Sequence, residues 1–194
     1  MTRLSFQRLV FFFVCVVCAV FFLFSNLGDR LLWQDEAEVA FLAKTFAEHG
    51  RPLAWDGRNV MAQMSGTEFD DHLVWRWSPW GTPALAMVGV YFFGPTPWGY
   101  RFPSAVFGLF TFFLSLAVAK SWIGKPRVAP VAWAFQLLAI PFFLHMRQCR
   151  YYAVVAFLGM LVLWLYPRLP RWSATFGLAV TLASMAYFNE LSLL

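Results

Sequence analysis

Thr82-Pro83-Ala84-Leu85-Ala86-Met87-Val88-Gly89-Val90-Tyr91-Phe92-Phe93 sets how many times the chain can cross a membrane. It is apolar throughout, but at about a dozen residues it falls short of the ~20 needed to cross a bilayer, and Gly94-Pro95 closes it. Charge settles whether it crosses. If it stays on one side, the connections holding Lys120, Lys125 and Arg127 and then Arg168 and Arg171 share a side with Arg3 and Arg8. That side then carries seven basic residues and no acid, while all ten acids, from Asp29 to Glu190, lie on the other. This is the distribution the positive-inside rule describes. Thr82–Phe93 is therefore expected to be an interfacial or re-entrant helix.

The composition agrees with a membrane chain. Its 194 residues are 60% hydrophobic, 20% aromatic and 13% charged, with a mean hydropathy of +0.60, far from the mix of a soluble domain. Arg3 and Arg8 precede the apolar run Leu9 to Phe24, and no small-residue cleavage site follows, so the run is expected to be a retained first span. Further spans are expected at Phe102 to Ala119, Val128 to His145, Tyr151 to Tyr166 and Trp172 to Phe188. The expected fold is all-α and integral to the membrane: about five transmembrane helices plus two juxtamembrane amphipathic helices on the outer face. Residues 1–194 then form one module with an external loop over 28–98. The net charge of +5 does not point to nucleic acid, because the basic residues are scattered between apolar runs. Cys15, Cys18 and Cys149 form no disulfide framework.

The outer segment carries the chemistry. Trp33-Gln34-Asp35-Glu36-Ala37-Glu38 puts adjacent carboxylates at the head of a second amphipathic pattern, in which Val39, Leu42, Ala43, Phe46 and Ala47 recur at helical spacing. His49-Gly50 and Pro52 stop it. That helix is expected to lie on the membrane surface with Lys44 and Glu48 towards water. Asp35 with Glu38 three residues on also has the form of a capping box, so two readings of Asp35 stand side by side: a cap for the helix start, and an oriented general base. Trp75-Arg76-Trp77-Ser78-Pro79-Trp80 gathers three indoles suited to the headgroup level, with Ser78 and Pro79 as expected cap and first residue of the next helix.

Arg101, Arg147 and Arg150 all fall at the outer boundary in this topology. Singly, each suits a snorkelling anchor; together, opposite a carboxylate pair, they suit an anion such as a lipid phosphate. His72 beside Asp70 and Asp71 is read as a solvated acidic turn, so no metal site is expected, and no glycine-rich nucleotide loop is present. The sequence makes no cofactor certain; a divalent metal stays open as an alternative, though no motif indicates one.

These motifs in this order resemble the dolichyl-phosphate-mannose protein mannosyltransferase superfamily of C-type glycosyltransferases, which includes the bacterial lipid A aminoarabinose transferases. The resemblance rests on Leu31-Leu32-Trp33-Gln34-Asp35-Glu36, Trp77-Ser78-Pro79-Trp80, Arg101 to Gly108 and Arg147 to Tyr152. It implies an inverting membrane glycosyltransferase that moves a sugar from a polyprenyl phosphate to a lipid, glycan or protein acceptor on the outer face. Asp35 would be the catalytic base and Glu36 its supporting acid, with Arg101, Arg147 and Arg150 on the donor phosphate. Trp77, Trp80, Tyr151 and Tyr152 are candidate acceptor or interface contacts. The chain departs from the family where relatives carry His-Pro-Pro or Glu-Lys-Pro in place of Trp77-Ser78-Pro79, and an aspartate in place of Tyr151 or Tyr152. The resemblance also implies that this is the N-terminal part of the family fold, with its C-terminal part absent and a second subunit as one way to complete it. The implied location is the bacterial inner membrane, N-terminus cytoplasmic and site periplasmic. A non-catalytic membrane protein that binds a lipid phosphate or scaffolds a partner transferase is the alternative reading.

Overall fold

The computed structural model describes residues 3–124 and 128–189. Lys125, Arg127 and Glu190, which entered the charge argument, lie outside the described residues, as do the side chains of Arg3 and Arg8. The described residues form α1 (Arg3–Phe24), α2 (Gln34–His49), α3 (Gly81–Phe93), α4 (Pro97–Ile123), α5 (Val128–Leu138), α6 (Ile140–Met146), α7 (Tyr152–Leu165) and α8 (Trp172–Phe188). Among them there is no strand, only three isolated antiparallel bridges inside residues 53–75. The fold is all-helical.

Local chemistry explains most boundaries. Gly50, at φ 71°, ends α2 in the left-handed conformation that its missing Cβ permits, and its amide closes on Phe46. Thr96 caps α4 by accepting from the Gly99 amide at 3.1 Å, with Pro97 at the first helical position. Helix α4 thus begins five residues before the expected Phe102, and Arg101 sits inside its first turns instead of opening it. The expected single helix from Val128 to His145 is broken at Ala139 into α5 and α6. Pro141 cannot donate to the Leu137 carbonyl, and its ring clashes with the preceding turn.

Pro103 has a related effect inside α4. Lacking an N–H, it leaves the Gly99 carbonyl without its helical donor. That carbonyl lies against Gly89 of α3, where an added Cβ would come within 2.1 Å of it. Gly89 is what lets α3 fold tightly back onto the first turns of α4.

One core joins Cys15, Ala19 and Leu23 of α1, Ala105 and Phe112 of α4, Trp133 of α5, Phe143 and Met146 of α6 and Ala153 of α7. Alanines at the crossings let backbones approach closely. Trp133 stacks on Phe112 at 4.8 Å and donates its indole N–H to the Phe112 carbonyl at 3.2 Å. The bundle has two distinguishable ends. At one, the close of α1, the starts of α2, α4 and α7 and the close of α8 meet. At the other, Trp122 near the end of α4 donates to the Leu163 carbonyl at 2.8 Å and stacks on Tyr166, beside Lys120 and Arg168.

Helix α4 is the one described helix long and apolar enough to cross a membrane. Leu9–Phe24, Gly81–Phe93, Tyr152–Arg168 and Trp172–Phe188 are apolar but shorter. Large apolar side chains nonetheless cover the outside, with Phe13, Phe135, Leu138 and Phe176 each 66% exposed or more.

Helix α2 is packed against protein along its apolar face, with Glu48 exposed. Ala40 and Ala43 pack on α3, and Leu42 packs on Ala54 and Trp75 of the following segment. Thr45 also accepts the Leu53 amide at 3.0 Å. Helix α2 is therefore held between α3 and a folded 51–80 segment that buries apolar residues of its own. Acids build the turns of that segment. Asp56 accepts the amides of Asn59 and Arg58, Asp70 those of Val74 and His72, and buried Glu68 those of Gln63 and Met64.

Candidate functional site

The start of α2 places two adjacent carboxylates on opposite sides. The N-cap residue is Trp33, with no side-chain cap bond, so the capping-box reading of Asp35 does not hold. Asp35 turns instead to Arg150, 115 residues away, with which it forms an ion pair. The Arg150 guanidinium also lies 5.6, 5.5 and 5.3 Å from the rings of Trp33, Tyr151 and Tyr152, a cation–π setting that fixes it over the pair. Asp35 keeps 39% of its side chain exposed.

Glu36 is only 1% exposed and is fully committed. It accepts Nε and Nη2 of Arg101 at 2.9 and 2.6 Å, and the Cys149 amide at 2.8 Å. Arg101 spends its remaining donors on the carbonyls of Leu27, Arg30 and Leu31 at 2.8–3.0 Å. All five of its N–H groups are thereby used. The pair binds the end of α1, the start of α2, the body of α4 and the α6–α7 connection at one point, and it carries Arg150 to Asp35 because Arg150 follows Cys149. A phosphate could be held by Arg101 only if one of these bonds were given up.

Two cavities flank this junction. The smaller, about 190 Å³, is walled by Asp35, Glu38, Trp77, Thr82, Arg150 and Tyr151, among others. The larger, about 710 Å³, lies on the Glu36 side with Arg30, Arg101, Arg147 and Gln148 in its wall. Arg147 donates to the carbonyls of Phe22 and Ser25 at 3.2 and 2.5 Å, at the end of α1. Burial, and then the nearby positive charges of Arg101 and Arg30, hold its pKa below the usual guanidinium range. Burial also raises the pKa of Glu38, which accepts Gln63 Nε2 at 2.8 Å.

The tryptophan stretch is divided. Trp75 is 1% exposed and donates to Ser78 Oγ at 2.9 Å, and Trp80 donates to the Trp75 carbonyl at 2.8 Å. Trp77 alone of the three is more than half exposed, at the mouth of the smaller cavity. Ser78 is thus the acceptor for an indole, and the N-cap position of α3 belongs to Trp80. Tyr152 packs on His145 at 5.0 Å and on Tyr151 at 4.6 Å. Asp70, which sequence places beside His72, is taken by two amides and by Arg76 Nη2 at 2.6 Å.

Of the expected site residues, then, Asp35, Arg150, Trp77 and Tyr151 share one cavity, while Glu36, Arg101 and Arg147 line the other. Thr82 and Glu38 in the first, and Arg30 and Gln148 in the second, were not among the expected residues. Glu38 carried a signal, since three residues from Asp35 along a helix is the same face. Thr82 carried one too, as a hydroxyl in an apolar helix. No family model, curated protein or solved structure matches this chain.

Proposed function

We propose that this protein is an integral membrane glycosyltransferase module that transfers a sugar from a polyprenyl phosphate to an acceptor hydroxyl on the outer face, with inversion. The observation that carries the reading is the Asp35–Arg150 pair, assembled beside a cavity at one end of an apolar helical bundle. Asp35 takes the acceptor proton as the acceptor oxygen attacks the anomeric carbon. The bond from that carbon to the phosphate oxygen breaks, and its electron pair leaves on the phosphate, where Arg147 and Arg150 offset the charge. Glu36 and Arg101 hold the loop that delivers Arg150. The large exposed apolar side chains support a bundle set in lipid with five crossings, α1, α4, α5 with α6, α7 and α8. Lys120, Arg168 and Arg171, at the end away from Asp35, support a cytoplasmic side there and an external site, as in a bacterial inner membrane.

A second reading is favoured by one feature: both acids already have cationic partners. On that reading the chain binds a lipid phosphate without catalysis. The test is binding of a labelled polyprenyl-phosphate sugar to the protein in nanodiscs, followed by transfer to acceptor. The transferase reading expects Arg147→Ala and Arg150→Ala to weaken donor binding and Asp35→Asn to spare it while abolishing transfer. Donor binding that needs Arg147 and Arg150, with no transfer by the wild type, would leave only the binder; transfer unchanged in Asp35→Asn would refute Asp35 as the base.

A further inference from the structure

The wall of the larger cavity sets three guanidiniums, Arg30, Arg101 and Arg147, against the carboxylates of Asp29 and Glu36. Their engagements differ. Glu36 and Arg101 cancel one another, and Arg101 has no N–H to spare. Arg147 has no carboxylate partner among the described residues; it spends two of the five N–H groups of a guanidinium on the carbonyls of Phe22 and Ser25, which leaves three. Arg30 is exposed, and neither it nor Asp29 closes an ion pair among the described residues. The uncancelled charge of the wall is therefore positive. Arg147 bears the cost of that excess, since Arg101 and Arg30 add to burial in holding its pKa down and Asp29 opposes them only weakly. An anion between Arg147 and Arg30 relieves it.

Arg30 is also held in place. By bonding the carbonyls of Leu27, Arg30 and Leu31, Arg101 pins the loop between α1 and α2 around Arg30, so an exposed side chain starts from a fixed backbone. The rest of the wall is apolar on the flank of the bundle. Leu31 and Leu144 line the cavity and are 88% and 56% exposed. Ile140, one turn deeper on the same face of α6, is 69% exposed. Beside it on α1, Phe22 is partly exposed and packs on Phe143 of α6 at 5.2 Å. A free anion has no use for such a lip. In a bundle set in lipid, these side chains meet hydrocarbon just below the arginines, which suits an anion that carries a hydrocarbon chain.

We infer that the larger cavity is a lipid-phosphate site entered sideways from the bilayer between α1 and α6, with Arg147 and Arg30 holding the phosphate and the first units of the chain lying over Phe22, Leu144 and Ile140. Arg30, and not the fully engaged Arg101, is the second phosphate-binding arginine. Arg150 stands next to the same cavity, its guanidinium 5.6 Å from the ring of Trp33 in the wall, so it adds positive potential on that side without leaving Asp35. Calling this lipid the sugar donor rests on the transferase reading; its chemical class rests on the cavity.

The test uses lipid phosphates that carry no sugar. The full chain in a neutral detergent is titrated by native mass spectrometry with farnesyl phosphate, farnesol and inorganic phosphate. Farnesyl phosphate binds at least tenfold more tightly than either of the others. Arg30→Gln, a change at an exposed side chain, weakens it about tenfold, and Arg30→Lys recovers part of the loss. Arg171→Gln, an exposed arginine at the far end of the bundle, leaves it unchanged. A diazirine on the first isoprene unit labels α1 and α6. Farnesol binding as tightly as its phosphate removes the anion from the inference, and inorganic phosphate binding as tightly removes the lipid. Equal affinity in Arg30→Gln, or labelling confined to α7 and α8, overturns it as well. Arg30-dependent binding without any sugar transfer from a polyprenyl-phosphate sugar would sink the transferase reading and leave the lipid-phosphate site standing. Transfer by the wild type that is unchanged in Arg30→Gln does the reverse.

Discussion

Removing the Glu36 carboxylate is the perturbation whose size the structure defines best. Glu36→Ala deletes both bonds to Arg101, leaves that guanidinium charged among three carbonyls in a buried setting, and orphans the Cys149 amide. Breaking a buried ion pair from one side costs about 3–5 kcal/mol, and an unpaired buried amide about 1–3 kcal/mol. The two overlap, because water entering the hole serves both, so the expected loss is about 4 kcal/mol. Against a total stability of roughly 5–15 kcal/mol that is a large fraction. Glu36→Gln keeps one oxygen for the Cys149 amide and Arg101 Nε but turns an NH2 towards Arg101 Nη2, donor against donor, and removes the counter-charge, a loss of about 2–3 kcal/mol. Glu36→Leu with Arg101→Met removes both charges and should be milder than the sum of the singles, though Leu27, Arg30 and Leu31 keep unserved carbonyls. Reversible denaturation in one detergent, followed by tryptophan fluorescence, measures these variants, the two singles Glu36→Leu and Arg101→Met, and the wild type. A loss below about 1 kcal/mol for Glu36→Ala would refute the view that this pair holds the site end together.

The folded 51–80 segment should be acid-labile. Asp70 is held below the usual carboxylate range by the amides of Val74 and His72, and Asp56 by those of Asn59 and Arg58. In Glu68 the amides of Met64 and Gln63 outweigh an opposing effect of burial. Folded values below unfolded ones mean stability that is present above the unfolded values of about 4 and lost as pH falls through the folded ones. Hydrogen exchange in 51–80 should therefore rise below about pH 4 while the bundle helices stay protected, and exchange unchanged down to pH 2 would contradict it. Gly89→Ala should separate α3 from α4 and lower the melting temperature by several degrees, since its Cβ meets the Gly99 carbonyl at 2.1 Å; an unshifted melt argues against the close crossing. Single cysteines at His72 and Trp172 should react with an impermeant maleimide from opposite faces of oriented vesicles. Labelling from one face would overturn the five-crossing topology.

How much of this was legible in the sequence depended on the range of the physics involved. Apolar runs and stop signals such as Gly50 act within a few residues, and they place α2, α3, α7 and α8 closely. Pro141 and Pro97 are equally local, yet a hydropathy reading passes over them, because a proline in an apolar run changes the backbone without changing the hydrophobicity. Gathering Asp35, Arg101 and Arg150 at one level was accessible from charge and span counting. Their pairing was not, because which acid meets which arginine depends on side chains diverging by about 100° per residue at the start of one helix. Trp75 and Trp77 differ for the same kind of reason, one entering the core of the folded loop and its neighbour two residues on facing out. The start of α3 is a boundary that the Ser78-Pro79 pair misplaces by two residues.

Turnover with and without the Asp35 carboxylate separates a transferase from a protein that only binds the donor. The protein in nanodiscs is given a polyprenyl-phosphate sugar and a lipid, glycan or protein acceptor, and transfer is followed for the wild type and for Asp35→Asn at matched donor occupancy. Loss of the base should slow transfer by about 10²-fold or more while donor binding stays intact. Transfer by Asp35→Asn at the wild-type rate would contradict the account.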